Sequence, residues 1–252
     1  MVVGARVVVV DCGVNADFEP VDGLKIKKVG YGTGNIARGP AMSREQAIKS
    51  LEVGIEVFNE ELLNGIDIVA TGDMGIANTT SSSAIIACLT GADLRKVTGR
   101  GTGLDDNGVE EKINVIKKAL SVNKPDSSDP IDVLSKVGGF EIGGIAGLCL
   151  AAASHKTPIL IDGFISTAAA LIACAIEPKV NDYLISSHTS TENGHMIALD
   201  KLQKKAVLNL ELRLGEGTGA VLAMGLIEAG VKTLTQMATF SEAEVSTPCY
   251  NK

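Results

Sequence analysis

Residues 157–170 read TPILIDGFISTAAA. A branched apolar run, Ile159-Leu160-Ile161, ends at Asp162-Gly163-Phe164, and small residues follow. Branched residues suit a pleated, buried strand; Asp-Gly suits a turn; Ser166 and Thr167 are placed to cap an alanine-rich helix. The same order recurs upstream. Residues 66–71 (IDIVAT) form a strand pattern and Gly72-Asp73-Met74-Gly75 a turn. Asn78, Thr79 and Thr80 are then placed to cap a helix carrying Ala84, Ile85, Ala87 and Leu89. Downstream, 182–187 (DYLISS) runs into His188–His195. The alternating stretch 207–214 (VLNLELRL) runs into Gly215-Glu216-Gly217-Thr218-Gly219 and a helix through Leu222, Met224 and Leu226. Strand, polar turn and helix in repetition predict an α/β fold with a mainly parallel sheet flanked by helices. In such sheets ligands sit beyond the carboxyl ends of the strands, where these turns gather.

The remaining segments fit the same scheme. Residues 5–11 and 25–31 are strand candidates. Ser43 and Gln46 have capping-box spacing, and a helical pattern continues through Leu51, Ile55, Phe58 and Leu62 to a stop at Gly65. A second glycine loop, Gly99–Gly103, leads through Asp105-Asp106 into an amphipathic helix near 108–121, and 122–130 is a surface loop. Gly138–Gly144 is expected to be a third glycine loop before a small-residue helix, with His155 at that helix's C-terminus.

The chain has 252 residues, 45% of them hydrophobic, enough for one substantial core. With 23 Lys+Arg against 30 Asp+Glu it carries a formal charge of −7 and has no dense basic block, which excludes a nucleic-acid partner. Trp is absent, and only 3 Tyr and 5 Phe occur, so aromatic stacking platforms are excluded too. The five cysteines form no C-x-x-C pair, which fits a reducing, cytoplasmic location rather than a disulfide framework or zinc knot. Val7–Val10 is too short to span a membrane.

Several glycine turns open helices, and free N–H groups at a helix start suit a phosphate or carboxylate. Gly99, Gly101 and Gly103 are the best placed, with Arg100 among them and Lys112 following; a plain tight turn is the alternative. Acidic residues stand in the same turns: Asp73, Glu141, Asp162 and Glu216. Such a carboxylate is either a general base or a cap for loop N–H groups. Glu216, between two glycines, favours the first role and Asp162 the second. His188, Glu192 and His195 match no standard zinc spacing and lack a third strong ligand, so structural or substrate-contact roles are expected. Gly215-x-Gly217-x-x-Ala220 has a dinucleotide-binding outline without the downstream ribose-binding acid, leaving a nucleotide-dependent oxidoreductase as a weak competing reading.

Five motifs taken together go further: Gly72–Thr80, Gly99–Gly103, Asp162–Thr167, Ser187–Glu192 and Arg213–Gly219. In this order and spacing the chain resembles, over nearly its whole length, the nicotinate-nucleotide:dimethylbenzimidazole phosphoribosyltransferase family. The resemblance implies a Rossmann-like fold with a small helical domain. It places the nucleotide-binding and catalytic domain at 1–230 and a remnant of an incomplete small domain at 231–252. It implies transfer of ribose 5-phosphate from nicotinate mononucleotide to 5,6-dimethylbenzimidazole or a related aromatic base. The products are α-ribazole 5′-phosphate and nicotinate. No metal or cofactor is required, and a homodimer is implied. Glu216 matches the family's general base. Asp73 stands where many members carry Glu. Gly75, Gly101 and Lys112 match positions around the nucleotide, with Asn78, Thr79 and Thr80 beside them. Asp162, Gly163 and Ser190 match positions near the ribose or nicotinate, and Leu214 and Gly215 join the substrate-binding set.

Family members usually carry a considerable segment before the first strand, which holds the aromatic base. Its absence here leads to the expectation of an acceptor pocket open on one side. The competing expectation is a nucleotide-binding fragment or subunit without full turnover.

Overall fold

The computed structural model describes residues 4–245; residues 1–3 and 246–252, Cys249 among them, lie outside the described residues. The chain forms β1 (Val9–Asp11), β2 (Leu24–Ile26), α1 (Arg44–Leu62), β3 (Val69–Ala70), α2 (Asn78–Thr90), α3 (Leu94–Val97), α4 (Asp106–Asn123), α5 (Pro130–Val137) and α6 (Phe140–Ser154). It continues with β4 (Ile159–Ile161), α7 (Phe164–Ile176), a 3-10 turn at Pro178–Tyr183, β5 (Leu184–Ser186), β6 (His188–Ser190), α8 (Gly194–Leu202), β7 (Leu208–Leu212) and α9 (Thr218–Gln236). None of the described helices is long and apolar enough to cross a membrane.

Every described strand pair is parallel, as the alternating pattern requires, but the strands are short and fall into three sheets: β1-β2, β3-β4-β5 and β6-β7. The second and third sheets share a bent strand. Only Ser187 separates β5 from β6; its N–H donates to Ile161 O at 3.0 Å, and its carbonyl accepts from Leu208 N–H at 2.9 Å. The strand therefore passes its pairing from β4 to β7 at that residue. β4 is fully buried, which explains its unbroken apolar run.

The Ser43–Gln46 capping box forms with both reciprocal hydrogen bonds, and Gly65 closes the end of α1 with φ +80°. His155 sits at the C-terminus of α6, as expected. Two capping expectations are corrected. Ala77, in the left-handed region, precedes α2, so Asn78, Thr79 and Thr80 lie inside the helix. Gly163 precedes α7, and Ser166 and Thr167 lie inside its first turn. The third glycine loop is also corrected: only Gly138 and Gly139 precede α6, and Gly143, Gly144 and Gly147 are helical. These glycines bring α6 against α1. A Cβ at Gly54 would overlap Gly144 O, and one at Gly147 would overlap Leu51 O. The main core lies around this contact and includes Phe58, Ile142, Leu134, Phe164 and Ile172.

Candidate active site

The turns after β3, β4, β6 and β7 meet at one end of the strands. The turn after β7 is unusual: Gly215, Glu216 and Gly217 have φ of +81°, +59° and +77°. Glycine adopts this region freely, whereas glutamate does so rarely. The Glu216 N–H donates to Asp73 O at 3.2 Å, and the Thr218 N–H to Gly215 O at 3.0 Å. Gly72 lies against the same turn, where a Cβ would stand 2.7 Å from Gly217 N and 2.8 Å from the Glu216 carbonyl carbon. The Glu216 side chain remains exposed to solvent.

Behind this turn Asp162 is completely buried. Its carboxylate accepts from Gly217 N–H at 3.2 Å and from Ala220 N–H at 3.0 Å, occupying the start of α9. Its own N–H donates to Thr71 Oγ1 at 3.1 Å, and Ser187 Oγ donates to its carbonyl at 3.1 Å. The His188 ring comes within 3.6 Å of the carboxylate.

In front of the turn, Asn78 Nδ2 donates to Asp73 Oδ2 at 2.8 Å, and the same amide supports the Glu141 carboxylate. Burial raises the Asp73 carboxyl above its ordinary value, and the charges of Asp162 and Glu216 push the same way. Burial also raises Glu141, with Asp73 adding to it. Gly75 permits this arrangement, because a Cβ there would overlap both Asn78 Nδ2 and Glu141 Oε1.

The next residue of α2 faces a different group. Lys112 is buried, and its Nζ donates to Thr79 Oγ1 at 2.8 Å and to Gly99 O at 3.2 Å. Burial lowers its pKa, while Glu192 opposes the fall. Gly101, at φ +55°, lies over this pair: a Cβ there would stand 3.1 Å from Thr79 Oγ1 and 3.6 Å from Lys112 Nζ. A cleft of about 660 Å³ opens beside it, lined by Gly99, Arg100, Gly101, Glu192, Asn193 and Arg213. Arg100 is folded back onto Leu104 O and Asp106. One Glu192 oxygen is buried without a hydrogen-bond partner among the described residues.

His195 is fully buried and its pKa is pushed down to about 3, by burial and then by His188. Ser190 N–H donates to its Nδ1 at 2.8 Å, so its proton sits on Nε2 and points to Thr167 Oγ1 at 2.9 Å; that hydroxyl donates to Gly163 O at 2.8 Å. This chain ties Ser190 to Gly163. His188 is likewise held neutral by burial, against the pull of Asp162. Both rings act as struts in the interior.

A family model described as phosphoribosyltransferase matches residues 1–245. The chain belongs to this phosphoribosyltransferase family. It is 56% identical over 244 residues to the nicotinate-nucleotide–dimethylbenzimidazole phosphoribosyltransferase of Geobacter sulfurreducens, covering 97% of this chain and 69% of that protein. The Chloroflexus aggregans protein of the same name is 52% identical over 244 residues, with the same coverage. The crystal structure of CobT from Thermus thermophilus superposes with a TM-score of 0.94 at 40% identity, over 98% of this chain and 74% of that one.

In this phosphoribosyltransferase fold the residues singled out from the sequence gather in two adjoining halves. Asp73, Gly75, Asn78, Asp162, Gly163, Leu214, Gly215 and Glu216 belong to the turns around the carboxylates. Ser190 is joined to this group through His195, Thr167 and Gly163. Thr79, Gly101 and Lys112 form the cationic half. Thr80 closes the first turn of α2 through its N–H to Ala77 O. Glu141 and Glu192 enter the two halves without having been placed in the site from the sequence. Glu141 carried the same signal as Asp73, an acid beside glycines. Glu192 is placed by Gly99, whose missing side chain leaves room for its carboxylate. The arrangement sets an exposed carboxylate on a stiff turn, backed by buried acids, next to a lysine and a glycine loop. That polarity suits a substrate with a cationic reacting centre and an anionic tail.

Proposed function

We propose that this chain transfers ribose 5-phosphate from nicotinate mononucleotide to 5,6-dimethylbenzimidazole or a related aromatic base, giving α-ribazole 5′-phosphate and nicotinate. The observation that carries this reading is the Gly215-Glu216-Gly217 turn, which presents an exposed carboxylate from a backbone bonded to Asp73. The names of the relatives described above support the substrates.

In the proposed reaction Glu216 takes the proton from one benzimidazole nitrogen while the other attacks the anomeric carbon. The new carbon–nitrogen bond forms opposite the breaking bond to nicotinate, so β configuration becomes α. The electron pair of the broken bond neutralises the departing pyridinium ring. The negative charge of Glu216 and of the acids behind it stabilises positive charge developing on the ribose. Lys112, Thr79 and the backbone at Gly101 hold the phosphate, with Gly75, Asn78 and Thr80 beside them. Gly163 and Ser190 lie toward the ribose and nicotinate, and Leu214 and Gly215 border the reacting face.

The further assignments of this reading are a cytoplasmic enzyme and a homodimer. Cysteines without C-x-x-C spacing support the first, and exposed apolar side chains along α9, Leu222, Leu226, Val231 and Leu234, support the second. Residues 231–252 are assigned to the small domain.

The test is incubation of the purified chain with nicotinate mononucleotide and 5,6-dimethylbenzimidazole, with separation and mass spectrometry of the products. Formation of α-ribazole phosphate is expected. Nucleotide binding without product would replace this reading with that of a binding subunit.

A further inference from the structure

Asp162 is the most enclosed acid at the site, with no exposed surface. Its carboxylate therefore has no open path to a bound nucleotide. The groups that donate to it are the N–H groups of Gly217 and Ala220, at 3.2 and 3.0 Å. These flank the end of the turn in which Glu216 takes a left-handed conformation that L side chains rarely adopt. On the opposite side Gly72 presses against the same turn, and the Asp73 carbonyl takes the Glu216 N–H. The turn is thus gripped from the ends of two strands, β3 and β4.

We propose that Asp162 is a positioning residue that holds the Glu216 turn in its reactive geometry, and that it does not contact substrate. The proposal rests on Glu216 being the general base. A displacement of a reacting group by about an ångström lowers rate far more than ground-state affinity, so loss of this grip is read in kcat.

The experiment measures kcat, nicotinate mononucleotide affinity and thermal unfolding for Asp162→Asn and Gly72→Ala. Each is made alone and combined with Glu216→Gln. Asparagine keeps one acceptor for the two N–H groups. Alanine at position 72 pushes the turn from the other side, from an exposed position, and serves if Asp162→Asn does not fold. The expected result is a fall in kcat of about tenfold to 10²-fold, affinity within about twofold of wild type, and no further fall when Glu216 is already Gln. Equal losses in affinity and kcat would overturn the positioning role. So would an undiminished effect in the Glu216→Gln background, or an unchanged kcat in Gly72→Ala. Full activity of Glu216→Gln by itself would instead overturn the general-base reading, and the positioning role with it.

Discussion

The Glu216 N–H donates to the Asp73 carbonyl at 3.2 Å, which ties the turn after β7 to the turn after β3. The carboxylate of Glu216 is therefore presented by a backbone fixed at two strand ends, not by a free loop. Glu216→Gln keeps the side chain's size and removes its basicity. Turnover is expected to fall by about 10²-fold or more, with nicotinate mononucleotide affinity changed less than about threefold, as measured by steady-state kinetics and calorimetric titration. Equal turnover in the variant would remove Glu216 as the base.

Lys112 is held by Thr79 Oγ1 and Gly99 O and is otherwise enclosed. Lys112→Ala is expected to weaken nicotinate mononucleotide binding by about 1.5–3 kcal/mol, the range for a hydrogen bond to a charged group. The expected fall in kcat at saturation is smaller. Titration with the nucleotide checks this, and an unchanged Kd would show that the lysine does not meet the phosphate.

The carboxyls of Asp73 and Glu141 are raised by burial from ordinary values of 3.8 and 4.5. The folded state thus binds these protons more tightly than the unfolded state. Stability contributed by the two groups is greatest below the ordinary values and is lost as pH rises through the raised ones. Glu141→Gln removes one titrating group and should flatten that part of the decline. Thermal unfolding of both proteins between about pH 4 and pH 7 checks the sign; an identical slope would show that Glu141 does not contribute.

Gly54 packs face to face with α6, leaving no room for a methyl group before Gly144 O. Gly54→Ala is expected to destabilise the protein by about 1–3 kcal/mol through overpacking, despite alanine's better helix propensity. Chemical denaturation gives the value. A stabilised variant would mean that the two helices separate without cost.

The order of elements and the positions of the functional turns are legible because strand ends are marked by glycine and acid together, at Asp73, Asp162 and Glu216. The Ser43–Gln46 box is legible because both partners lie within one turn of helix. The caps of α2 and α7 fall elsewhere than the pattern suggests because their polar residues are engaged at a distance: Asn78 with Asp73, and Thr167 with His195. A local pattern does not show a distant competitor for a side chain. Gly143 and Gly144 look like loop residues for the same reason, since their purpose depends on α1 lying against them. The strands are shorter than their apolar runs, because the run 66–71 extends beyond the paired residues Val69–Ala70.

Asn78 and Thr79 are consecutive residues of α2, one bonded to Asp73 and the other to Lys112. No hinge lies between the carboxylate half and the cationic half. In the proposed reaction, the separation between phosphate anchor and proton acceptor is therefore a dimension of the scaffold, set by one peptide unit of a helix. Remodelling the acceptor side for another aromatic base would leave that ruler untouched, so a change of acceptor need not bring a change of donor.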